Sequence, residues 1–380
     1  MSRRSLHTPA PDAAALRARL DRARSAAAAA DTDALLIAPG SDLRYLLGQA
    51  GGSFERLTTL VVPADGVPAL VVPKLEAPGY ADVPTGDLGI ELLTWVDGED
   101  PYKLVADRLG KPGRVAVSDF TPALHVLALR AALGDAEQTL AGPVVRELRM
   151  RKDAAEIASL REAGAAIDRV HARVHEWLRP GRTEAEVGAD IAAAIVEEGH
   201  ERADFVIVGS GPNGASPHHD VSGRVIEKGD VVVVDIGGPL PAGYNSDSTR
   251  TYAVGTPRDA DVAETYAVLQ RAQAAAVAAV KPGVTAEQVD AAARDVIAEA
   301  GYGEYFIHRT GHGIGLDVHE EPYIIAGNAL PLEPGMAFSV EPGIYQPGRW
   351  GARIEDIVVV TEDGVESVNN QPHELVVLDA

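Results

Sequence analysis

The stretch VVVVDIGGPLPAGYNSDSTR, Val231 to Arg250, decides how the second half of the chain is read. Four consecutive valines have the character of a strand covered on both faces, and they end on Asp235. A carboxylate at the end of so apolar a run needs a cation, because an unpaired buried charge costs several kcal/mol. Gly237, Gly238 and Gly243, around Pro239 and Pro241, predict a hairpin turn, and Asn245 to Arg250 begins the returning strand. Asp247 then lies opposite or beside Asp235 on one sheet face. Taken singly, either aspartate is more often a turn or strand-edge residue than a ligand, and the two together remain ambiguous.

Three further positions change that balance. His312 sits among the glycines of Thr310-Gly311-His312-Gly313-Ile314-Gly315, which allow close backbone approach. The apolar run Ala337 to Val340 leads into Glu341-Pro342-Gly343, and Arg353-Ile354-Glu355-Asp356 opens another apolar run, Ile357 to Val360. Four carboxylates and one imidazole are an oxygen-rich, hard donor set that suits a pair of divalent ions such as manganese better than a closed structural zinc. The chain has no cysteine, which excludes thiolate catalysis, disulfides and cysteine-ligated zinc.

Working outward, the Ala- and Arg-rich segment from Pro11 to Ala30 predicts an amphipathic helix, and short apolar runs follow at Ala34 to Ala38, Leu57 to Val62 and Ala69 to Val72. This alternation predicts an α/β domain over residues 1–143. From Val145 to Leu178 one long charged helix is expected to connect into a second domain, residues 144–380. Thr183 and Glu186 have capping-box spacing for a helix ending near Gly199, and one more helical stretch spans Asp261 to Ala300. The order of helices and strands resembles a duplicated α+β unit.

A formal net charge of -22 repels phosphate backbones, so nucleic acid is not an expected partner, whereas metal cations and small zwitterions are. Met1-Ser2-Arg3-Arg4 does not lead into the apolar core of a signal peptide. No run approaches the roughly 20 apolar residues that cross a bilayer. The expectation is a soluble, cytoplasmic protein with no membrane partner.

Six motifs in order carry a family resemblance: Asp235-Ile236-Gly237, Ser246-Asp247-Ser248-Thr249-Arg250, Gly311-His312-Gly313-Ile314-Gly315, Val318-His319-Glu320-Glu321-Pro322, Val340-Glu341-Pro342-Gly343 and Arg353-Ile354-Glu355. Together they resemble the pita-bread metallopeptidases, a superfamily that includes methionine aminopeptidase and creatinase, and most of all prolidase and aminopeptidase P. The resemblance implies an α+β pita-bread catalytic domain preceded by a smaller α/β creatinase-type domain.

It further implies that Asp235 ligates one divalent ion, that His312 and Glu341 ligate another, and that Asp247 and Glu355 bridge them. Manganese is the first choice of metal, with cobalt or zinc as alternatives. A bridging water would be the nucleophile and Glu341 the general base or proton shuttle. His218, His308 and His319 would bind substrate, with His218 and His319 stabilising the tetrahedral intermediate. His219 adjoins His218 and competes for its place. Arg353 would contact a substrate carboxylate or support the site.

The implied activity is hydrolysis of the bond before proline, on peptides with proline in second position, by a homodimer. The competing readings are a metal-dependent hydrolase of a small non-peptide substrate and a non-catalytic binding scaffold.

Overall fold

The computed structural model describes residues 11–52 and 55–379; Arg3 and Arg4 lie outside them. The chain divides into two units between Arg149 and Met150. In the first, a six-stranded sheet has the order β4-β3-β2-β1-β5-β6. Its strands are β1 (Ala34–Ile37), β2 (Thr59–Pro63), β3 (Ala69–Pro73), β4 (Glu91–Trp95), β5 (Arg114–Val117) and β6 (Glu137–Leu140). β1, β5 and β6 run parallel, as do β3 and β4, while β2 is antiparallel to both its neighbours. The helices are α1 (Ala13–Ala29), α2 (Ser41–Leu47), α3 (Thr85–Leu88), α4 (Pro101–Leu109) and α5 (Ala123–Leu133). This is the α/β architecture read from the alternating runs. Asp12 starts α1 by accepting from the Ala15 N–H. A sixth helix, α6 (Gly142–Met150), ends at the division between the units, and the boundary expected before Val144 falls in its first turn.

The second unit is α+β. Two helices, α7 (Ala154–Arg173) and α8 (Glu184–Glu197), precede β7 (Phe205–Ser210), β8 (Val231–Pro239) and β9 (Asn245–Val254). These strands form a sheet in the order β17-β9-β8-β7, with β17 (Val376–Leu378) at its edge. Next come α9 (Val262–Ala279) and α10 (Ala286–Glu299), then β10 (Gly311–Gly313), β11 (Glu320–Ile324), β12 (Ala337–Val340), a hairpin of β13 (Gly343–Gln346) and β14 (Trp350–Arg353), β15 (Asp356–Val360) and β16 (Val365–Ser367). The second sheet has the order β11-β10-β12-β15-β16.

Side-chain alternation explains why the polar residues converge. Along β8, Val232, Val234 and Ile236 pack with Ile167, Val170, Ile191 and Ile195 of α7 and α8. Each fully buried side chain of this kind contributes about 1.5–3 kcal/mol. The odd-numbered residues, Asp235 among them, therefore occupy the opposite face. β15 alternates likewise: Val358 and Val360 join the core of α9 and α10, while Glu355, one residue ahead of the strand, falls on the other face from Asp356.

Three expectations are corrected. The segment from Val145 to Leu178 is not one helix: Lys152 donates its N–H to the Gly335 carbonyl, and Asp153 with Glu156 forms a capping box that starts α7 afresh. The stretch from Asp261 to Ala300 is two helices, because Pro282 cannot continue α9 and Gly283 adopts φ 84°. Gly237 and Gly238 are not in the turn but inside β8, and the chain reverses at residues 240–244. A Cβ at Gly237 would strike the Ser246 carbonyl, and one at Gly238 the Arg202 carbonyl, so close approach is what requires glycine there. Among the described residues, no helix is long and apolar enough to cross a membrane.

Candidate metal centre

The register of β8 and β9 pairs Asp235 with Thr249 and Gly237 with Asp247. Asp235 and Asp247 are therefore diagonal neighbours on one face, the second of the two placements expected from the sequence. Thr249 also forms a bridge to Glu355: the Glu355 N–H donates to the Thr249 carbonyl at 3.1 Å, and the Thr249 hydroxyl donates to Glu355 Oε2 at 2.7 Å. Arg250 ties the same two segments together, donating to the Glu355 carbonyl at 2.7 Å and pairing with buried Asp356 at 2.7 Å. Asp235, Asp247 and Glu355 consequently present carboxylate oxygens within 4.8 Å of one another.

His312 arrives from β10. A Cβ at Gly311 would collide with the Ser339 carbonyl and one at Gly313 with the Glu321 carbonyl, so the flanking glycines seat the strand tightly. The ring donates from Nδ1 to the Gly313 carbonyl at 3.1 Å, which turns Nε2 toward Glu341 Oε1 at 3.2 Å and Asp247 Oδ2 at 3.5 Å. Such a fixed tautomer, with one nitrogen held by a backbone carbonyl, is how ligating histidines are oriented. Ser339 links the same elements, accepting from the His312 N–H and donating to Glu341 Oε1, both at 3.0 Å. His312, Glu341 and Glu355 form a second group of ligand atoms within 4.8 Å.

Burial pushes the carboxyl groups of Asp247 and Glu355 well above the usual range, with added repulsion from each other's neighbourhood of carboxylates, and pushes Asp235 up as well. Glu341 goes the other way: burial opposes its charge, but His312, His308 and Arg353 outweigh that and hold the carboxyl low. Asp235 Oδ2 is taken by Arg353 at 2.5 Å, while Oδ1 is buried with no hydrogen-bond partner among the described residues. A crowded set of buried oxygens, one of them orphaned, together with an oriented imidazole, fits hard divalent cations.

These residues line a cavity of about 1360 Å³, which also receives His218, His219, His308, His319, Arg309 and Arg353. The His319 ring lies edge-on to that of His312, with 4.1 Å between centroids, and burial with the neighbouring His312 lowers its pKa to about 4. His308 has both nitrogens occupied, one by its neighbour's carbonyl at 2.7 Å and the other by the Tyr345 hydroxyl at 2.9 Å. Arg353 is enclosed: it donates to Thr249 Oγ1 at 3.0 Å, to the Tyr345 hydroxyl at 2.7 Å and to the Pro217 carbonyl, besides Asp235. His219 donates toward Glu184 at 2.7 Å, whereas His218 is exposed on the cavity side.

Sequence reading did not single out Thr249, Ser339, Tyr345, Glu184 or Arg309. Thr249 was findable, since it stands two residues after Asp247 on one strand and so shares its face. The others depend on contacts between distant segments.

With this geometry in view, two family models match the chain. That of metallopeptidase family M24 covers residues 158–362, and that of the creatinase/prolidase N-terminal domain covers 19–151. The chain belongs to metallopeptidase family M24. Its relatives in the family include the probable dipeptidase PepE of Mycobacterium tuberculosis, 62% identical over 97% of this chain and 98% of that protein. The Xaa-Pro dipeptidase of Lactobacillus helveticus is 38% identical over 88% of this chain and 92% of its own length. The crystal structure of dipeptidase PepE from Mycobacterium ulcerans superposes with a TM-score of 0.94 at 62% identity, covering 98% of this chain and 100% of that one. The creatinase-type first unit and the pita-bread second unit are thus those of the family, and the chain is a metallopeptidase.

Proposed function

We propose that this metallopeptidase uses two divalent ions to hydrolyse the bond before proline in dipeptides. The observation that carries the reading is the convergence of Asp235, Asp247, His312, Glu341 and Glu355, with Asp235 Oδ1 buried and unpartnered, at the floor of one cavity. Asp235 would hold one ion, His312 and Glu341 the other, and Asp247 and Glu355 both. Manganese is the first choice, with cobalt and zinc as alternatives. When bound, such ions polarise the scissile carbonyl and lower the pKa of water.

The chain's own residues do the rest. Glu341, kept ionised by His312, accepts the proton released at the attacking oxygen and passes it to the leaving nitrogen. His218 and His319 line the space beside His312 and donate to the oxygen on which negative charge develops. His308, whose Nδ1–H is taken by the Arg309 carbonyl and whose Nε2 accepts from the Tyr345 hydroxyl, and Arg353, whose donors are engaged by Tyr345 and Asp235, hold the wall in shape instead of meeting the substrate directly.

Arg309 supports a dipeptide over a longer chain. Among the arginines lining the cavity, Arg294 pairs with Asp290 and Arg353 with Asp235. Arg309 lies over the Tyr323 ring at 4.4 Å, and no carboxylate among the described residues pairs with it. Its charge is available to the free carboxylate that a dipeptide has and an internal proline lacks. The proline preference is supported by the Xaa-Pro dipeptidase relative.

The test is hydrolysis of Ala-Pro, Leu-Pro and Ala-Ala by protein loaded with manganese, before and after chelation. Turnover of the two proline substrates alone, abolished by the chelator, is expected. Equal turnover of Ala-Ala contradicts the proline preference, and failure to hydrolyse any of the three contradicts the peptidase reading.

A further inference from the structure

Glu184 lies outside every motif that marks the metal centre, yet its side chain is wholly buried. It accepts from the Ser210 N–H at 2.8 Å, the Ser210 hydroxyl at 2.6 Å, the Asn213 amide at 3.1 Å, the Ser222 hydroxyl at 2.6 Å and His219 Nε2 at 2.7 Å. All these donors belong to residues 210–222, the segment that carries His218. Burial opposes the charge of Glu184, but Ser210, Ser222 and His219 outweigh it and keep the carboxyl below its ordinary range.

An internal repeat indicates what this carboxylate adds. Pro180-Gly181-Arg182-Thr183 ahead of α8 matches Pro282-Gly283-Val284-Thr285 ahead of α10. The backbone bonds match as well. Gly181 N–H donates to the Ile226 carbonyl and Gly283 N–H to that of Leu332; Glu184 N–H donates to Arg224 and Ala286 N–H to Leu330; Ala185 N–H donates to Ser222 and Glu287 N–H to Asn328. The counterpart of Glu184 is Ala286, also fully buried. The corner therefore forms with a methyl group at this position, and a buried carboxylate there serves something besides the corner.

We infer that Glu184 is a positioning residue: it anchors residues 210–222 through four residues and engages the ring of His219, so that of the two adjacent histidines lining the cavity it is His218 whose ring is left to meet the substrate. This rests on the reading above, in which His218 meets the substrate. The carboxylate is only an acceptor, and every group around it donates. Glutamine keeps the shape but sets an NH2 against those donors.

The experiment compares hydrogen–deuterium exchange of peptides spanning 211–222, bound manganese, and kcat/KM on Ala-Pro in the full chain and its Glu184→Gln variant. Exchange in this segment should rise about tenfold or more while β8 and β9 stay protected, as expected of a local opening. Bound metal should remain at the wild-type level, and kcat/KM should fall about tenfold or more. Adding Glu184→Gln to His218→Ala should cause little further loss, because both changes remove one function. Ser222→Ala, which keeps the carboxylate and removes one donor, should raise the same segment's exchange to a smaller degree. Unchanged exchange in both variants overturns the inference, as does loss of metal or a full multiplicative penalty in the double variant. If the wild-type protein cleaves no Xaa-Pro substrate, the functional reading falls, and the exchange comparison still decides on Glu184.

Discussion

The guanidinium of Arg353 contacts Oδ2 of Asp235 at 2.5 Å, and the other oxygen of that carboxylate is left buried with no partner among the described residues. One side of Asp235 is thus fixed by the protein while the other faces the cavity. Burial works against the charge of Arg353, but Tyr345, Asp235, Glu341 and Glu355 outweigh it and keep the guanidinium firmly protonated. Lysine cannot span Asp235, Tyr345 and Thr249 with a planar fork. Arg353→Lys is expected to weaken metal binding about 10–100-fold, the usual cost of losing a group that orients a ligand. Calorimetric titration of the stripped protein with manganese checks this, and unchanged affinity would show that the contact does not orient Asp235.

His312 offers Nε2 because Gly313 holds Nδ1. His312→Ala should leave a protein that folds but retains about one ion fewer per chain, since Asp235, Asp247 and Glu355 still form a group of their own. Metal analysis after gel filtration reads the difference. Retention equal to wild type would remove His312 from the ligand set.

The tight seating of β10 makes Gly311→Ala a stability probe. The new methyl group meets the Ser339 carbonyl, which belongs to an interior strand and has little room to yield. Urea unfolding should show a loss of about 1–3 kcal/mol, the usual range for forced overpacking. A loss below about 0.5 kcal/mol, the range of ordinary surface substitutions, would mean that the strands slide apart easily.

Acid sensitivity should come partly from His171, which is fully enclosed between the Tyr252 hydroxyl and the Ser248 carbonyl. Burial lowers its pKa from 6.5 to about 3. The unfolded chain therefore takes up a proton below pH 6.5 that the folded chain refuses until about pH 3. Stability falls as pH is lowered through that window, because the unfolded state binds more protons there. His171→Gln should flatten the decline of Tm with acidification. A slope identical to wild type would assign the sensitivity to other groups.

Replacing Arg309 by methionine removes its charge and keeps much of its length. KM for Leu-Pro should rise about tenfold or more, the scale of a lost charge-assisted hydrogen bond, with kcat much less affected. The KM for Leu-Pro amide, which has no free carboxylate, should barely move. An equal rise for both substrates would mean that Arg309 shapes the cavity without reading the carboxylate.

Much of this architecture was legible in the chain because its signals are local. The four valines before Asp235, the glycines around His312 and the strand-end positions of Glu341 and Glu355 each follow from side-chain alternation and burial. The helix boundaries were misread where local pattern competes with distant contacts. The break at Arg151 to Asp153 depends on Gly335, nearly two hundred residues away, and a continuous charged pattern runs across it. Gly237 and Gly238 looked like turn residues because what requires them, the carbonyls of Ser246 and Arg202, is visible only once the strands are paired. Glu184 was hidden for the same reason: beside Thr183 and Glu186 it reads as ordinary helix-start chemistry, and its four partner residues lie 26 to 38 positions further on.

A two-ion centre that cleaves before proline is tested most directly by titrating the stripped protein with manganese while following hydrolysis of Ala-Pro. Turnover should be absent without metal, and the rate should climb to its plateau at two equivalents per chain. A plateau at one equivalent, or no turnover at saturating metal, would contradict this reading.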